Sequence, residues 1–235
     1  MQIVMIPGFW LDGDSWREVA YPLRAAGHTV HTVTLPGLES VDADRSDITL
    51  ADHVAAVVAL LDELPAEPVL LVGHSGGAAV AYAALDARPD RVAEVVYVDA
   101  GPLGDGQSVN TELPVVDGEI PLPDWSVFET DDLVDLDDEL REAFRARAIP
   151  QPARVASDPQ RLHNEDRRRV PATIVCCEFP SAMLQHWVAA GEPMVAEVAT
   201  IDTVRYVDLP TGHWPQFTKP AELAAVIAEA AARHR

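Results

Sequence analysis

Residues 68–77 read Pro-Val-Leu-Leu-Val-Gly-His-Ser-Gly-Gly. Positions 68–73 form a continuous apolar run, as expected of a strand covered on both faces. A helical stretch from Gly76 to about Ala87 follows at once and stops before Pro89. Between strand and helix, Gly73-His74-Ser75-Gly76-Gly77 has the G-x-S-x-G spacing of a sharp turn that lifts a serine hydroxyl to the edge of a sheet. Glycine two residues to either side permits the close strand–helix approach that such a turn needs, and the amides of a helix N-terminus lie beside the serine oxygen. A phosphate-binding turn of similar shape would carry G-x-x-x-x-G-K-[ST] or G-x-G-x-x-G, and the chain contains neither.

The same alternation extends outward in both directions. Gln2–Ile6 is a short apolar strand, followed by the loop Pro7-Gly8-Phe9-Trp10-Leu11-Asp12-Gly13. Ser15-Trp16-Arg17-Glu18 has capping-box spacing and opens a helix that stops at Gly27. Thr29–Leu35 reads as a strand closed by Pro36-Gly37, and Thr49 with Asp52 opens a second capped helix with Val54, Val57, Val58 and Leu61 on one face. A further strand covers Val92–Asp99. The pattern breaks over residues 101–170, which are rich in proline; positions 117–142 hold 11 acidic residues and one basic residue. It resumes with a strand at Ala172–Cys177, a helix around Ala182–Ala190, a strand at Thr203–Leu209 and a last helix from about Pro220, where proline suits the first turn. Regular alternation implies a mostly parallel sheet with helices on both faces. Residues 1–235 are therefore expected to form one α/β domain, with 101–170 as a lid insertion above the C-terminal edge of the sheet.

Composition narrows the function. With 38 acidic against 17 basic residues and a net charge of −21, the chain repels phosphate backbones and anionic membranes, so neither nucleic acid nor a membrane is an expected partner. No apolar run approaches the roughly 20 residues of a membrane span, and the N-terminus lacks the basic and apolar regions of a signal peptide. Cys176 and Cys177 are adjacent in a strand, so their side chains point to opposite faces, and a reduced, cytoplasmic protein is expected. The acidic run at 129–142 lacks calcium-loop spacing and no His/Cys set has zinc spacing, so neither metal nor cofactor is expected. Arg167-Arg168-Arg169 reads as a surface segment. Nothing in the sequence bears on oligomeric state.

A serine hydroxyl is a weak nucleophile without an adjacent base. Of eight histidines, His213 stands out, because Thr211-Gly212-His213-Trp214 follows the last strand at the edge where Ser75 sits. His28, His31 and His53 fall in elements that read as structural or exposed; His163 belongs to the lid, His186 to a late helix and His234 to the tail. Trp10 and Trp214 flank the loops that carry chemistry and, with His74, are expected to contact substrate, while Trp125 fits either pocket or core.

At this level the chain resembles the α/β-hydrolase family over essentially its full length, and more narrowly the small branch of plant methylesterases and hydroxynitrile lyases. The matching pieces are Pro7-Gly8-Phe9-Trp10 in place of a His-Gly loop, Gly73–Gly77, Pro150-Gln151-Pro152, and Gly212-His213 with Phe217-Thr218-Lys219-Pro220. The resemblance implies that the backbone amides of Phe9 and Gly76 form an oxyanion hole, where each such donor is worth about 3–4 kcal/mol.

The resemblance also poses a question about the acid. Most of the family places it after the penultimate strand, and here that loop, Glu178-Phe179-Pro180-Ser181, contains no aspartate. A different subset places it one strand earlier, where Val96-Tyr97-Val98-Asp99 ends. Asp99 is the expected acid because it sits on a rigid strand end that can hold an imidazole tautomer, and Glu178 is the rival. The function expected is a cofactor-free serine hydrolase cleaving a small or medium neutral ester, thioester or lactone through Ser75, His213 and Asp99. A lyase, which would want a lysine where Trp214 stands, and a non-catalytic ligand-binding relative are the alternatives.

Overall fold

The computed structural model describes residues 1–234. Its first half is a strict alternation: β1 (Gln2–Ile6), α1 (Arg17–Ala25), β2 (Thr29–Thr32), α2 (Leu50–Glu63), β3 (Val69–His74), α3 (Gly76–Ala87) and β4 (Val92–Val98). A long connection then carries β5 (Glu119–Ile120), α4 (Asp138–Arg147), β6 (Gln151–Pro152) and α5 (Ala153–Ser157). Alternation resumes with β7 (Ala172–Cys176), α6 (Ser181–Ala190), β8 (Val204–Asp208), α7 (Pro215–Thr218) and α8 (Pro220–Ala232).

Six strands form one sheet in the order β2-β1-β3-β4-β7-β8, with all five pairings parallel. The chain first steps from β1 to β2 on one side and then crosses to β3 on the other. The winding therefore reverses between β1 and β3, and such a reversal leaves a crevice outside the C-terminal strand ends. Register brings those ends level: Ile6 lies opposite Gly73 and His74 opposite Val98.

Although β1 and β3 are mostly apolar, side-chain alternation still divides them between two cores. Ile3, Met5, Leu70 and Val72 pack with Trp16, Val19 and Leu23 of the α1 side and with Leu223 and Ile227 of α8. Val4, Ile6, Val69 and Leu71 face the opposite core, with Val57 and Leu61 of α2 and Val80 and Leu85 of α3. Every residue of α3 except Ala87 is buried, so this helix is covered on all sides and its alanines and glycines let the neighbouring elements approach closely. Cys176 and Cys177 are free and buried, one in each core. Among the described residues, no helix is long and apolar enough to cross a membrane.

Several local expectations need correction. Ser15 does not cap a helix; Asp12 caps a 3-10 turn over Gly13–Trp16 by accepting from the Asp14 amide, and the α-helix begins only at Arg17. The Thr49–Asp52 capping box is present in both directions. The strand at 29–35 ends at Thr32, although Val33 still donates to the Met5 carbonyl; the chain turns away toward Pro36, which has no N–H to offer a ladder. Arg167 is not on the surface. Its guanidinium is buried, 3.2 Å from Asp86 and 3.2 Å from Glu197, and its Nε donates to the Tyr82 hydroxyl. Three arginines in a row look solvated, but a buried guanidinium is stable when every donor has an acceptor, and these acceptors come from α3 and from the segment before β8.

Candidate active site

The reversal point of the sheet brings five strand ends and their loops to one place. The loop after β1 supplies Phe9 and Trp10, the turn after β3 supplies Ser75, the ends of β4 and β7 supply Asp99 and Glu178, and the loop after β8 supplies His213. All six line one cavity of about 640 Å³.

Ser75 sits at φ 50°, ψ −127°, a region that L-residues occupy only when the surroundings enforce it. The surroundings do so through close packing. A Cβ on Gly73 would lie 2.8 Å from the Ala78 Cα and 2.8 Å from the Gly77 carbonyl, and one on Gly77 would run into the carbonyls of Ile6 and Pro7. Backbone cannot yield as a flexible side chain would, so glycine is required at both places. Asp99 and Trp10 also adopt positive φ, 45° and 65°, each immediately beyond or near the end of its strand.

His213 is held by its own backbone. Its amide donates to the Asp132 carbonyl at 2.8 Å and the Gly212 amide to the Val134 carbonyl at 3.0 Å. Its carbonyl accepts from Nε2 of His74 at 2.6 Å. The ring then spans two partners: Nδ1 lies 2.7 Å from Asp99 Oδ2 and Nε2 lies 2.8 Å from Ser75 Oγ. A carboxylate can only accept, so Nδ1 carries a proton, and whenever the ring is neutral Nε2 presents its lone pair to the serine hydroxyl. The other Asp99 oxygen accepts from the amides of Cys177 and Glu178, at 2.9 and 3.3 Å. The Asp99 side chain is 3% exposed, and burial opposes its ionisation. The bond and charge of His213 outweigh that and hold its pKa below the ordinary value.

Glu178 does not stand aside. Its Oε1 comes within 2.9 Å of the same Nδ1, so Asp99 and Glu178 are joint neighbours of one imidazole nitrogen where the sequence suggests a choice. Burial pushes the Glu178 carboxyl up to about 7, with the Asp99 charge acting in the same direction. Burial works against the imidazolium of His213 too, but the bonds and charges of the two carboxylates outweigh it and lift its pKa to about 10. Among the described residues, Asp99, Glu178 and His213 are also the group with donor atoms spaced for a metal ion, all within 4.8 Å. Its one nitrogen in that set is bonded through a proton to Asp99, so the donors form a proton relay rather than an open ligand set.

Two expected substrate contacts fall elsewhere. His74 is fully buried; strand alternation turns it to the α1 side, where its ring meets Trp16. With Nε2–H on the His213 carbonyl and Nδ1 accepting from Gln216 at 3.3 Å, it is a neutral support. Burial holds its pKa down to about 3. Trp214 is buried as well, boxed by Trp125, Phe128 and Phe144, and meets His213 edge-on from behind. Trp10 does line the cavity, and its indole N–H donates to the Ile120 carbonyl at 3.0 Å. The far wall is built from the β4–β7 connection by Val109, Leu113, Phe128 and Asp132. No periodicity marks these residues in the sequence.

Comparison with known proteins follows the same lines. The model of the alpha/beta hydrolase family matches residues 3–226. A carbendazim hydrolyzing esterase of Nocardioides sp. (strain SG-4G) is 32% identical over 112 residues, covering 47% of this chain and 46% of that protein. Putative methylesterase 14, chloroplastic, of Arabidopsis thaliana is 32% identical over 109 residues, 45% of this chain and 31% of that protein. Among solved structures, an extracellular alpha/beta-hydrolase from a Paenibacillus species superposes with a TM-score of 0.79 at 24% identity, covering 98% of each chain. A methylesterase, MES16, from Arabidopsis gives 0.76 at 20% identity, covering 99% of each. The chain spans less than half the length of these curated relatives.

Proposed function

The chain belongs to the alpha/beta hydrolase family, and from that premise we propose that it is a serine esterase, cleaving a small or medium neutral ester, thioester or lactone. Ser75 attacks the carbonyl carbon while His213 Nε2 takes the hydroxyl proton. Asp99 holds the Nδ1 proton and stabilises the imidazolium that forms. The negative charge that develops on the carbonyl oxygen is met by the backbone amides of Phe9 and Gly76, and both residues line the cavity beside Ser75. His213 then protonates the departing alcohol, and a water molecule repeats the sequence on the acyl-enzyme.

The observation that carries this reading is the unbroken hydrogen-bonded chain Ser75–His213–Asp99, at 2.8 and 2.7 Å. It also favours an enzyme over a non-catalytic binding relative, because a binding module has no use for an aligned relay. Relatives whose names state esterase or methylesterase activity support ester chemistry. Residues 101–170 serve as the lid that closes the cavity. Its lining includes Asp99, Glu112, Asp132 and Glu178 and no lysine or arginine, so anionic groups near the scissile bond are disfavoured and neutral substrates preferred.

Labelling with a fluorophosphonate probe tests the assignment. The wild-type protein should form one adduct, mapped to Ser75 by peptide mass spectrometry. Ser75→Ala should lose the adduct and on the order of 10⁴-fold or more in kcat. An adduct on another serine, or none, overturns the reading.

A further inference from the structure

Two carboxylates converge on a nitrogen that has one proton to give. Asp99 Oδ2 takes it in a hydrogen bond. Glu178 Oε1, only 2.9 Å from the same nitrogen, is buried and has no hydrogen-bond partner of its own. Among the described residues no arginine or lysine pairs with either acid. The groups facing Glu178 are Asp99 at the end of β4, His213 after β8, Asp132 from the β4–β7 connection and the Cys177 thiol beside it. With both acids ionised and the imidazole neutral, the trio would carry two negative charges within one hydrogen-bond radius. One added proton relieves this in either of two ways. It can sit on the ring, between two carboxylates, or on Glu178, leaving the ring neutral. Only the second arrangement gives Nε2 the lone pair that Ser75 requires.

We propose that Glu178 is a positioning residue that shares the Nδ1 side of His213 with Asp99, and that it sets the pH at which this imidazole becomes a base. The inference rests on the triad reading above. Environment splits the two acids as the arrangement demands: burial and the Asp99 charge bring Glu178 up to about 7, whereas Asp99, buried but bonded to His213, stays below its ordinary value. Pairs of titratable groups pushed apart in this way divide their roles, one permanently charged and one titrating, and the apparent values belong to the set rather than to one member.

The sign of the test follows from charge. An ionised Glu178 favours imidazolium, so removing its charge lets the ring lose its proton at lower pH. Glu178→Gln keeps the length of the side chain and cannot ionise. kcat/KM for a neutral p-nitrophenyl ester should be measured from about pH 5 to about pH 10 in the wild type, Glu178→Gln, Asp99→Asn and the double variant. The acid limb of Glu178→Gln should move down by at least about one pH unit, a roughly tenfold change in proton affinity, whatever the height of its plateau. Asp99→Asn should retain roughly tenfold or more activity over the double variant, because Glu178 takes over Nδ1; residues that act as a unit are non-additive in this sense. An unmoved limb, or an Asp99→Asn variant no better than the double, overturns the proposal. Nitrogen NMR titration of His213, assigned by its loss in His213→Gln, separates this inference from the esterase reading. If the wild type hydrolyses no ester but the His213 titration still moves down in Glu178→Gln, the esterase reading fails and the role of Glu178 stands. If ester is hydrolysed and the titration does not move, the role of Glu178 fails alone.

Discussion

At the scale of single residues, the turn at Ser75 is held by backbone packed against backbone. Gly77 faces two backbone carbonyls, Ile6 and Pro7, with no room for a methyl group. Gly77→Ala must therefore push β1 away from α3, and overpacking of this kind costs roughly 1–3 kcal/mol; chemical denaturation should show that loss, accompanied by a fall in fluorophosphonate labelling as Ser75 leaves its position. At Gly27 the constraint is different: a Cβ there meets nothing within 4 Å, but its φ of 86° is one that L side chains rarely adopt. The motif residues were legible because G-x-S-x-G has one physical meaning between a strand and a helix. Asp99 was legible from its position at a strand end. For His74, adjacency to Ser75 says nothing about which face of β3 it occupies, and period-two alternation sends it to the α1 side. That Glu178 reaches the same nitrogen as Asp99 depends on how far apart β4 and β7 place two loops, which no local pattern encodes.

At the scale of elements, the β4–β7 connection departs furthest from what its sequence suggests. Its proline content marks it as irregular, and the Asp117-Gly118 pair, both at positive φ, is a hairpin turn that a sequence can announce. The pairing of β5 with β6 joins Glu119 to Pro152 and Ile120 to Gln151, and contacts of such range leave no trace in neighbouring residues. Arg167 ends this connection by joining it to α3 through Asp86 and to the segment before β8 through Glu197. Asp86 also accepts from the amides of His163 and Asn164, both at 2.9 Å. Removing the guanidinium takes the cation away from the buried Asp86 and the half-buried Glu197. Arg167→Ala should cost about 3–5 kcal/mol, read as a lowered denaturation midpoint, and Arg167→Lys should recover only part of it, since an ammonium cannot fork to both acids and the tyrosine.

At the scale of the whole molecule, the net charge of −21 opposes compactness through self-repulsion, while individual acids resist neutralisation. Glu94 is fully buried at the opposite end of β4, bonded to Arg233 at 2.6 Å, His234 at 2.7 Å and Thr173 at 2.6 Å. Burial raises its pKa, but these bonds together prevail and hold it below the ordinary 4.5. A carboxylate lowered in this way contributes stability that is present above its unfolded value and is lost as pH falls through the folded one. The two effects separate by condition. At pH 7, adding salt should raise the melting temperature by screening repulsion; near the pI of about 4.5 the salt effect should shrink, and below it the melting temperature should fall as Glu94 gains its proton. Calorimetry at two salt concentrations across this range checks both. The alternation of strands and helices, and hence the layered architecture, was legible throughout. The order β2-β1-β3-β4-β7-β8 was not, because pairing between strands far apart in the chain leaves no mark in the residues of either strand.

The two hydrogen bonds that fix the His213 loop have a bearing on how this molecule can be altered. Both acceptors, the Asp132 and Val134 carbonyls, belong to the β4–β7 connection, and Gly212 meets them with no space for a methyl group. The base is thus anchored to the part of the chain that an engineer would exchange first to change specificity. Grafting that connection from a relative transplants the mounting of the histidine together with the pocket wall. A chimera that preserves every loop of the sheet but omits those two carbonyls would bind a new substrate with its proton acceptor out of place.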